Sequence, residues 1–144
     1  MSKRLALIHG PNLNLLGQRD PAMYGTLTLA ELEAAVRDHA SAHGFELSTF
    51  QSNVEGELIN ALHSAAQSCV GVIFNPGAYS HTSVALRDAV EAIGIPTVEV
   101  HLSNIHAREH FRRTSLTATA AQACISGLGQ KGYLAAVDHF SPAD

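Results

Sequence analysis

The sequence predicts an α/β protein built around one parallel β-sheet, and two observations lead to that prediction. Short apolar runs of strand length recur along the chain, and segments with helical periodicity lie between them. Strands that alternate with helices form βαβ units, whose strands lie parallel in one sheet. With 144 residues the chain can bury a substantial core, so we expect one domain over residues 1–144.

The apolar runs predict five strands, which suit a flavodoxin-like arrangement. They cover residues 5–9, 45–50, 70–75, 96–101 and 121–126. Five strands that alternate with helices favour a three-layer sandwich, with helices on both faces of the sheet and the strand order 2-1-3-4-5. In such a sheet, ligands bind at the carboxyl ends of the strands, where the winding reverses between the first and third strands.

Local signals predict where the helices begin and end. Thr28 and Glu31 have the spacing of a capping box, and Gly44 is a C-terminal stop for the helix that follows them. Ser52 and Glu55 repeat the capping-box spacing before the next helix. Two later helices are predicted near 84–93 and 133–140, and a short helical turn followed by a loop is predicted over 104–120.

Composition and charge argue against several classes of protein. The formal net charge is −4 and no run of Lys or Arg occurs, which argues against nucleic-acid binding. The first apolar run ends at Gly10, so it is too short to span a membrane or to form the core of a signal peptide. Cys69 and Cys124 each lie in an apolar run, so we expect two buried, reduced cysteines in a cytoplasmic protein.

Polar side chains follow the three central strands of the predicted sheet. The first strand leads into Asn12, and the third ends at Asn75, shortly before His81. Glu99 and His101 are two residues apart on the fourth strand, so they face the same side of the sheet. A carboxylate in that position fixes the tautomer of an imidazole and keeps it protonated, as a general acid requires. A solvated pair at the edge of the sheet is the alternative.

The connection from the first strand to the first helix is unusually long, and it carries Arg19 and Tyr24. A phenol is a poor base unless a nearby cation favours the phenolate, and Arg19 supplies such a charge. Because Asp20 follows Arg19, a plain solvated ion pair is the alternative.

Cationic and hydrogen-bonding groups follow the fourth strand. Ser103 and the backbone amides of Leu102 and Ser103 lie where a helical turn begins, which is a ready anion site. Arg108, Arg112 and Arg113 either face anionic substrate oxygens or point to solvent.

Two motif matches do not predict function. Segment 106–110 has the H-x-x-E-H spacing of an inverted zinc-peptidase site, but only Asp138 and Asp144 are acidic downstream. Segment 127–132 has the G-x-G-x-x-G spacing of a dinucleotide fingerprint, but the chain ends too soon to supply the next strand. We therefore predict a glycine turn into the last helix and no metal site.

Several longer motifs, taken in order, point to one known family. They are GPNLNLLG at 10–17, Arg19 with Tyr24 and Gly25, QSNVEG at 51–56, NPGAY at 75–79, HTS at 81–83 and EVHLSNIH at 99–106. Over nearly its whole length the chain resembles the type II 3-dehydroquinate dehydratases of the shikimate pathway. Segment 115–122 matches the family pattern poorly.

The resemblance implies a hydro-lyase without cofactor or metal. Such an enzyme eliminates water in trans from 3-dehydroquinate, through an enolate, to give 3-dehydroshikimate, the third step towards chorismate and the aromatic amino acids. The resemblance implies that Tyr24 is the base and that Arg19 keeps it ionised. It also implies that Asn12 helps to stabilise the enolate, and that His101, oriented by Glu99, protonates the departing hydroxyl.

The resemblance also implies how substrate is held and how subunits assemble. The implied substrate-binding residues are Asn75, His81, Asp88, Leu102, Ser103 and Arg112, with Arg108 as a second arginine near the tyrosine. Asp88 would support the site from the third helix, across a subunit boundary. The family assembles as a dodecamer, a tetramer of trimers. The segment at about 18–25 is interpreted as a lid over the crevice.

Two other functions are compatible with the same fold. A flavodoxin-like FMN protein needs a phosphate loop rich in Ser, Thr and Gly and aromatic side chains beside the flavin, whereas residues 12–15 read Asn-Leu-Asn-Leu and the chain has no Trp. A receiver or other ligand-binding module needs a phosphorylatable Asp at the end of the third strand, where this chain has Asn75.

Overall fold

Five parallel strands form one sheet in the computed structural model, which describes residues 3–18 and 20–142 but not the side chains of Met23 and Tyr24. The strands are β1 (Lys3–His9), β2 (Phe45–Gln51), β3 (Gly71–Asn75), β4 (Thr97–His101) and β5 (Ala123–Ser126). Their order is β2-β1-β3-β4-β5, and every neighbouring pair is parallel. The predicted topology is therefore confirmed.

Helices cover both faces of the sheet. They are α1 (Pro21–Tyr24), α2 (Leu29–Ala42), α3 (Glu55–Ser68), α4 (Val84–Ala92) and α5 (Gln130–Phe140). Two apolar clusters, one on each face, make the core: α2 and α5 contribute to the first, and α3 and α4 to the second. The alternation of β1 explains the division, because Leu5 and Leu7 belong to the first cluster and Ala6 and Ile8 to the second. The molecule is thus a flavodoxin-like, three-layer sandwich, as predicted.

The signals at both ends of α2 act as predicted. Thr28 Oγ1 accepts a hydrogen bond from the backbone N–H of Glu31 at 3.1 Å, and the Glu31 carboxylate accepts one from the backbone N–H of Thr28 at 3.3 Å. This reciprocal pair satisfies two N–H groups that the helix start leaves open. Gly44, with φ of +84°, turns the chain after the helix into β2.

The capping box predicted at Ser52 is wrong. The N-cap of α3 is Val54, which offers no side-chain cap. Ser52 instead lies two residues earlier, where its hydroxyl accepts from the backbone N–H of Val54 at 2.9 Å and donates to Glu57. The hydroxyl turns the chain before the helix rather than capping it, so the spacing to Glu55 was coincidental.

Three further predictions need correction. Cys69 is buried as expected, but Cys124 is exposed, because it lies on β5 at the edge of the sheet. The segment after β4 contains three short 3₁₀ turns rather than one helical turn, at Ile105–Ala107, His110–Arg112 and Thr117–Thr119. Helix α5 begins at Gln130, three residues before the predicted start, after a turn through Gly127 and Gly129 that both have positive φ.

No helix within the described stretches 3–18 and 20–142 is long and apolar enough to cross a membrane.

Candidate active site

A pocket opens at the carboxyl ends of β1, β3 and β4, where the fold predicts ligand binding. It has a volume of about 110 Å³. The structure brings eight of the predicted site residues to its walls: Asn12, Asn75, His81, His101, Leu102, Ser103, Arg108 and Arg112. The topology produces this convergence, because parallel strands end at one edge of the sheet.

Glu99 and His101 form a buried pair beneath this pocket. His101 Nε2 lies 2.7 Å from Glu99 Oε2, and the two residues are only 5% and 1% exposed. Strand β4 lies between β3 and β5, so the alternative of a solvated pair at the sheet edge is wrong. Because the carboxylate accepts this hydrogen bond, the Nε2 atom carries the proton and the tautomer is fixed.

Two hydroxyls that the sequence analysis missed also bind Glu99. Ser115 Oγ donates to Glu99 Oε2 at 2.6 Å, and Thr117 Oγ1 donates to Glu99 Oε1. Both residues follow the 3₁₀ turn at His110–Arg112, and the chain there folds back over β4. No local pattern announces these contacts, because they join residues 16 and 18 positions apart.

The thiol of Cys124 is a further neighbour of Glu99. Although the residue is exposed, Sγ lies 3.9 Å from Glu99 Oε2. Desolvation of the thiol and the negative charge of Glu99 raise its pKa to about 11. Cys124 is therefore a neutral donor to the carboxylate at physiological pH.

Asn75 is held from the face of the sheet that α2 and α5 cover, which is opposite to the face of Glu99. Its Oδ1 accepts from the backbone N–H of Gly77 at 3.0 Å, and its Nδ2 donates to the hydroxyl of Tyr133 at 2.8 Å. Tyr133, on α5, is completely buried, and burial raises the pKa of its phenol far above the ordinary value, although the Asn75 hydrogen bond opposes that shift. The carboxamide is thus fixed in orientation, and its second Nδ2 hydrogen remains for a ligand.

Asn12 lies in the turn after β1, and this turn packs closely against the residues that follow β3. It is the one non-glycine residue with positive φ, +69°, in the part of the chain that the structure describes. Its backbone N–H donates to Asn53 Oδ1 at 2.9 Å. Just before it, a Cβ on Gly10 would lie 2.3 Å from the carbonyl oxygen of Pro76, so only glycine allows the two strand ends to approach this closely.

The remaining predicted residues after β3 and β4 form the cationic wall of the pocket. His81 Nδ1 donates to the carbonyl oxygen of Thr114 at 2.8 Å, so this contact does not use the Nε2 atom of the ring. Arg108 Nη1 lies 3.4 Å from Ser103 Oγ. Arg112 binds Glu109, and this contact lowers the pKa of the Glu109 carboxyl.

One predicted cation and one predicted acid do not line this pocket. Arg113 is exposed and does not line the pocket. Asp88 is also exposed, on α4, where it binds Arg87 at 3.1 Å. A single chain therefore does not bring Asp88 to the pocket, and its role stays a prediction.

The predicted base and its cation lie outside the described residues. Arg19 and the side chain of Tyr24 belong to that part, while the backbone of Tyr24 ends the short helix α1. Asp20 caps this helix by accepting from the backbone N–H of Ala22 at 3.0 Å. The Asp20 carboxylate therefore has a structural use at the start of α1.

The zinc-peptidase spacing does not assemble a site in the described ranges. Two clusters of His, Cys, Asp and Glu side chains there lie close enough to share an ion, and neither includes His106, Glu109 or His110. The first is Glu99, His101 and Cys124, and the second is His39, His43 and Asp138.

Comparison with known proteins identifies the family. The model of the family described as dehydroquinase class II matches residues 3–141. The 3-dehydroquinate dehydratase of Pelotomaculum thermopropionicum is 53% identical over 134 residues, which are 93% of each chain. Catabolic 3-dehydroquinase 1 of Neosartorya fischeri is 50% identical, and the match covers 96% of this chain and 93% of that relative.

A solved structure agrees with the sequence relatives. The crystal structure of type II dehydroquinase from Propionibacterium acnes superposes with a TM-score of 0.94 at 38% identity, covering 98% of this chain and 97% of that one. The resemblance inferred from the motifs is confirmed: the chain belongs to the class II dehydroquinases, the family of the type II 3-dehydroquinate dehydratases.

Proposed function

We propose that this pocket eliminates water from 3-dehydroquinate through an enolate and yields 3-dehydroshikimate, as a step of the shikimate pathway. The buried pair of Glu99 and His101 at a polar pocket is the observation that carries the proposal. An elimination needs a group that protonates the departing hydroxyl, and an imidazole oriented by a carboxylate supplies one. The proposed activity needs no cofactor. Tyr24 accepts the proton that leaves carbon, and His101 supplies the proton that the hydroxyl needs.

In this mechanism His101 is the general acid and Tyr24 is the base. Tyr24, held as phenolate by the charge of Arg19, removes the proton from the carbon next to the ketone. Asn12 stabilises the enolate oxygen that results, through a water molecule. The carbon–oxygen bond then breaks as His101 donates a proton to the hydroxyl, which leaves as water. Because the Nε2 proton is held by Glu99, the acid is the doubly protonated imidazolium, and the donated proton is the one on Nδ1.

Substrate is held by groups on the pocket wall. The second Nδ2 hydrogen of Asn75, together with the Ser103 hydroxyl and the backbone amides of Leu102 and Ser103, binds the carboxylate and neighbouring oxygens. His81 and Arg112 bind the ring hydroxyls. A guanidinium and several N–H donors at one wall suit an anionic polyol.

The segment around α1 acts as a lid that carries Arg19 and Tyr24 over the pocket. Gly17 and Gly25 lie on either side of that segment with φ of +87° and +75°. These backbone conformations suit hinges, because glycine adopts them without strain. Closure would exclude water from the enolate.

Assembly and location are part of the same proposal. The enzyme is a cytoplasmic dodecamer built from trimers, and the two unpaired cysteines favour a reducing compartment. Asp88 is exposed and does not line the pocket of its own chain, and in this assembly it acts on the site of a neighbouring subunit. Light scattering after size-exclusion chromatography measures the subunit number; a monomer with full activity would contradict this arrangement.

The proposal is tested by mixing purified enzyme with 3-dehydroquinate and following the ultraviolet absorbance of the conjugated enone. Wild type is compared with Tyr24→Phe, with His101→Ala and with the matched control His106→Ala. His106 is exposed and does not line the pocket. We expect turnover by wild type and the control, and losses of at least about 100-fold in the other two variants. No turnover by folded wild type would overturn the function. Full activity of Tyr24→Phe or His101→Ala would overturn only that residue's role.

A further inference from the structure

A cluster of two histidines and one aspartate lies away from the pocket, at the junction of α2 and α5. His39 is on the last turn of α2, His43 is the residue that caps it, and Asp138 is on α5. Residues four apart face the same side of a helix, so the two imidazoles lie together, 4.5 Å apart between ring centres. None of the three lines the active-site pocket.

The ligand atoms of the cluster converge on one carboxylate oxygen. His39 Nε2 lies 2.7 Å and His43 Nε2 lies 3.5 Å from Asp138 Oδ1. One ligand atom from each residue is within 4.8 Å of the other two. The side chains are 28%, 33% and 57% exposed, so an ion can enter from solvent.

The hydrogen bond on the far side of His43 shows which nitrogen is available. His43 Nδ1 lies 2.9 Å from the backbone carbonyl oxygen of His39. A carbonyl oxygen can only accept, so Nδ1 carries the proton. In the neutral ring, Nε2 therefore presents its lone pair towards the Asp138 oxygen. Two electron-rich atoms that face each other at 3.5 Å favour a cation between them.

This arrangement has the ordinary features of a histidine metal ligand. Metal-bound imidazoles usually donate their second N–H to a carbonyl or carboxylate, which fixes ring orientation and tautomer. Two imidazoles and one carboxylate suit Zn²⁺, Ni²⁺ or Cu²⁺ and do not suit Mg²⁺ or Ca²⁺, which take oxygen ligands. Three protein ligands leave one position of a tetrahedral ion for water.

The spacing requires only a small adjustment. With zinc–ligand bonds of about 2.0–2.1 Å, neighbouring ligand atoms of a tetrahedral site lie about 3.3 Å apart. The separation of His43 Nε2 from Asp138 Oδ1 is already close to that value, while that of His39 Nε2 must open from 2.7 Å. The Asp138 side chain is 57% exposed, so it is the group that can move to open this distance.

We propose that His39, His43 and Asp138 form a surface site for a transition-metal ion of the zinc class, which joins α2 to α5. The ion would hold the C-terminal ends of two helices of the same layer at the edge opposite the active site. It is therefore a structural site, and dehydration of substrate does not depend on it.

The test uses the full chain without a histidine tag and with Zn²⁺ as the probe. Isothermal titration calorimetry gives stoichiometry and Kd, and thermal unfolding gives Tm with and without the ion. We expect one ion per chain. With free Zn²⁺ at about one hundred times Kd, we expect Tm to rise by roughly 5–10 °C. Replacement by Co²⁺ should give the visible absorption of a tetrahedral site.

Matched variants locate the ion. His43→Gln and Asp138→Asn should each weaken Zn²⁺ binding at least tenfold and abolish the rise in Tm. His139→Gln, next to Asp138 but bonded to Gln122 at 2.7 Å, should leave both unchanged. Circular dichroism without metal checks that each variant is folded.

The other cluster in the described structure that could bind the same ion is Glu99, His101 and Cys124. Cys124→Ala separates the two: it should leave calorimetric binding and the rise in Tm as in wild type. Loss of binding in Cys124→Ala, or unchanged binding in His43→Gln, would overturn the proposal, as would a wild type that binds no Zn²⁺.

Discussion

Individual side chains outside every recognisable motif determine how the proposed acid is held. The partners of Glu99 include His101 from the same strand and the hydroxyls of Ser115 and Thr117 from the loop beyond β4. If the buried Glu99 carboxylate loses one donor, one of its oxygens is left without a hydrogen bond, and the side chain can adopt another rotamer. The orientation of His101 depends on that rotamer.

Thr117→Val tests this dependence. The change keeps the shape of the side chain but removes the donor to Glu99 Oε1. We expect kcat to fall about tenfold with little change in KM, because leaving a buried acceptor unpaired costs about 1–3 kcal/mol. Steady-state kinetics on 3-dehydroquinate measure the effect, and Thr117→Ser should restore the rate.

Thr119→Val is the matched control, because Thr119 is exposed and its hydroxyl donates to the carbonyl oxygen of Leu116, not to Glu99. Equal rates for Thr117→Val and Thr119→Val would show that the hydroxyl does not position the acid. The imidazole proton of His101 can also be followed by NMR without substrate, and its signal should change only in Thr117→Val.

Tyr133→Phe makes the corresponding test on the proposed substrate amide. Without the phenol oxygen, Asn75 Nδ2 loses a partner at 2.8 Å, and of the two hydrogen bonds that orient the carboxamide only the one from the Gly77 N–H remains. We expect KM to rise about five- to tenfold while kcat changes less, because the amide binds substrate rather than transferring a proton. A fall in kcat with KM unchanged would contradict this assignment.

At the scale of secondary-structure elements, the features that the sequence predicts correctly are those set by neighbouring residues. The β-strands were found from apolar runs, and both ends of α2 from Thr28 and Gly44, because each of these signals acts within a few residues. The false capping box at Ser52 shows the limit of spacing alone, since the hydroxyl found Glu57 and the Val54 amide instead. The contacts of Ser115 and Tyr133 join distant segments, so no local pattern could announce them.

The close approach of the ends of β1 and β3 leads to a prediction at this scale. Gly10→Ala would place a methyl group 2.3 Å from the Pro76 carbonyl oxygen, so the strand ends must separate. We expect a loss of about 1–3 kcal/mol in unfolding free energy, together with a loss of activity, because the pocket opens between these ends. Urea unfolding and the dehydration assay measure the two effects.

Gly56→Ala is the matched control and should act in the opposite direction. Gly56 lies in α3, and a Cβ there meets nothing within 4 Å. Alanine should raise the unfolding free energy by about 0.5–1 kcal/mol through helix propensity and leave activity unchanged. Equal stability of the two variants would contradict the steric argument at Gly10.

At the scale of the whole molecule, the buried phenol of Tyr133 connects stability to alkaline pH. Burial raises the pKa of Tyr133 above the value that the phenol has in the unfolded chain, about 10. Below that pH the phenol of Tyr133 is protonated in both the native and the unfolded state. Above it the unfolded state releases a proton that the native state retains, so stability is lost as pH rises.

We expect the unfolding free energy of wild type to fall by up to about 1.4 kcal/mol per pH unit from this group above pH ~10. Urea unfolding at intervals from pH 8 to about 11 should show a shallower decline for Tyr133→Phe. Cys124, with its pKa raised to about 11, acts in the same direction but is present in both proteins, so the difference isolates Tyr133. Parallel curves would contradict the assignment.

The sheet separates the two halves of the site between its faces. Asn75 faces the layer of α2 and α5 and is held by Tyr133, whereas Glu99, paired in register with Phe74, faces the layer of α3 and α4. The carboxamide of Asn75 and the proposed acid His101 are thus supported by different cores. We expect mutations around Tyr133 to change how Asn75 binds substrate while the hydrogen bonds that hold Glu99 and His101 stay intact. Such a division makes the molecule evolvable, and libraries restricted to either layer should alter one kinetic constant at a time.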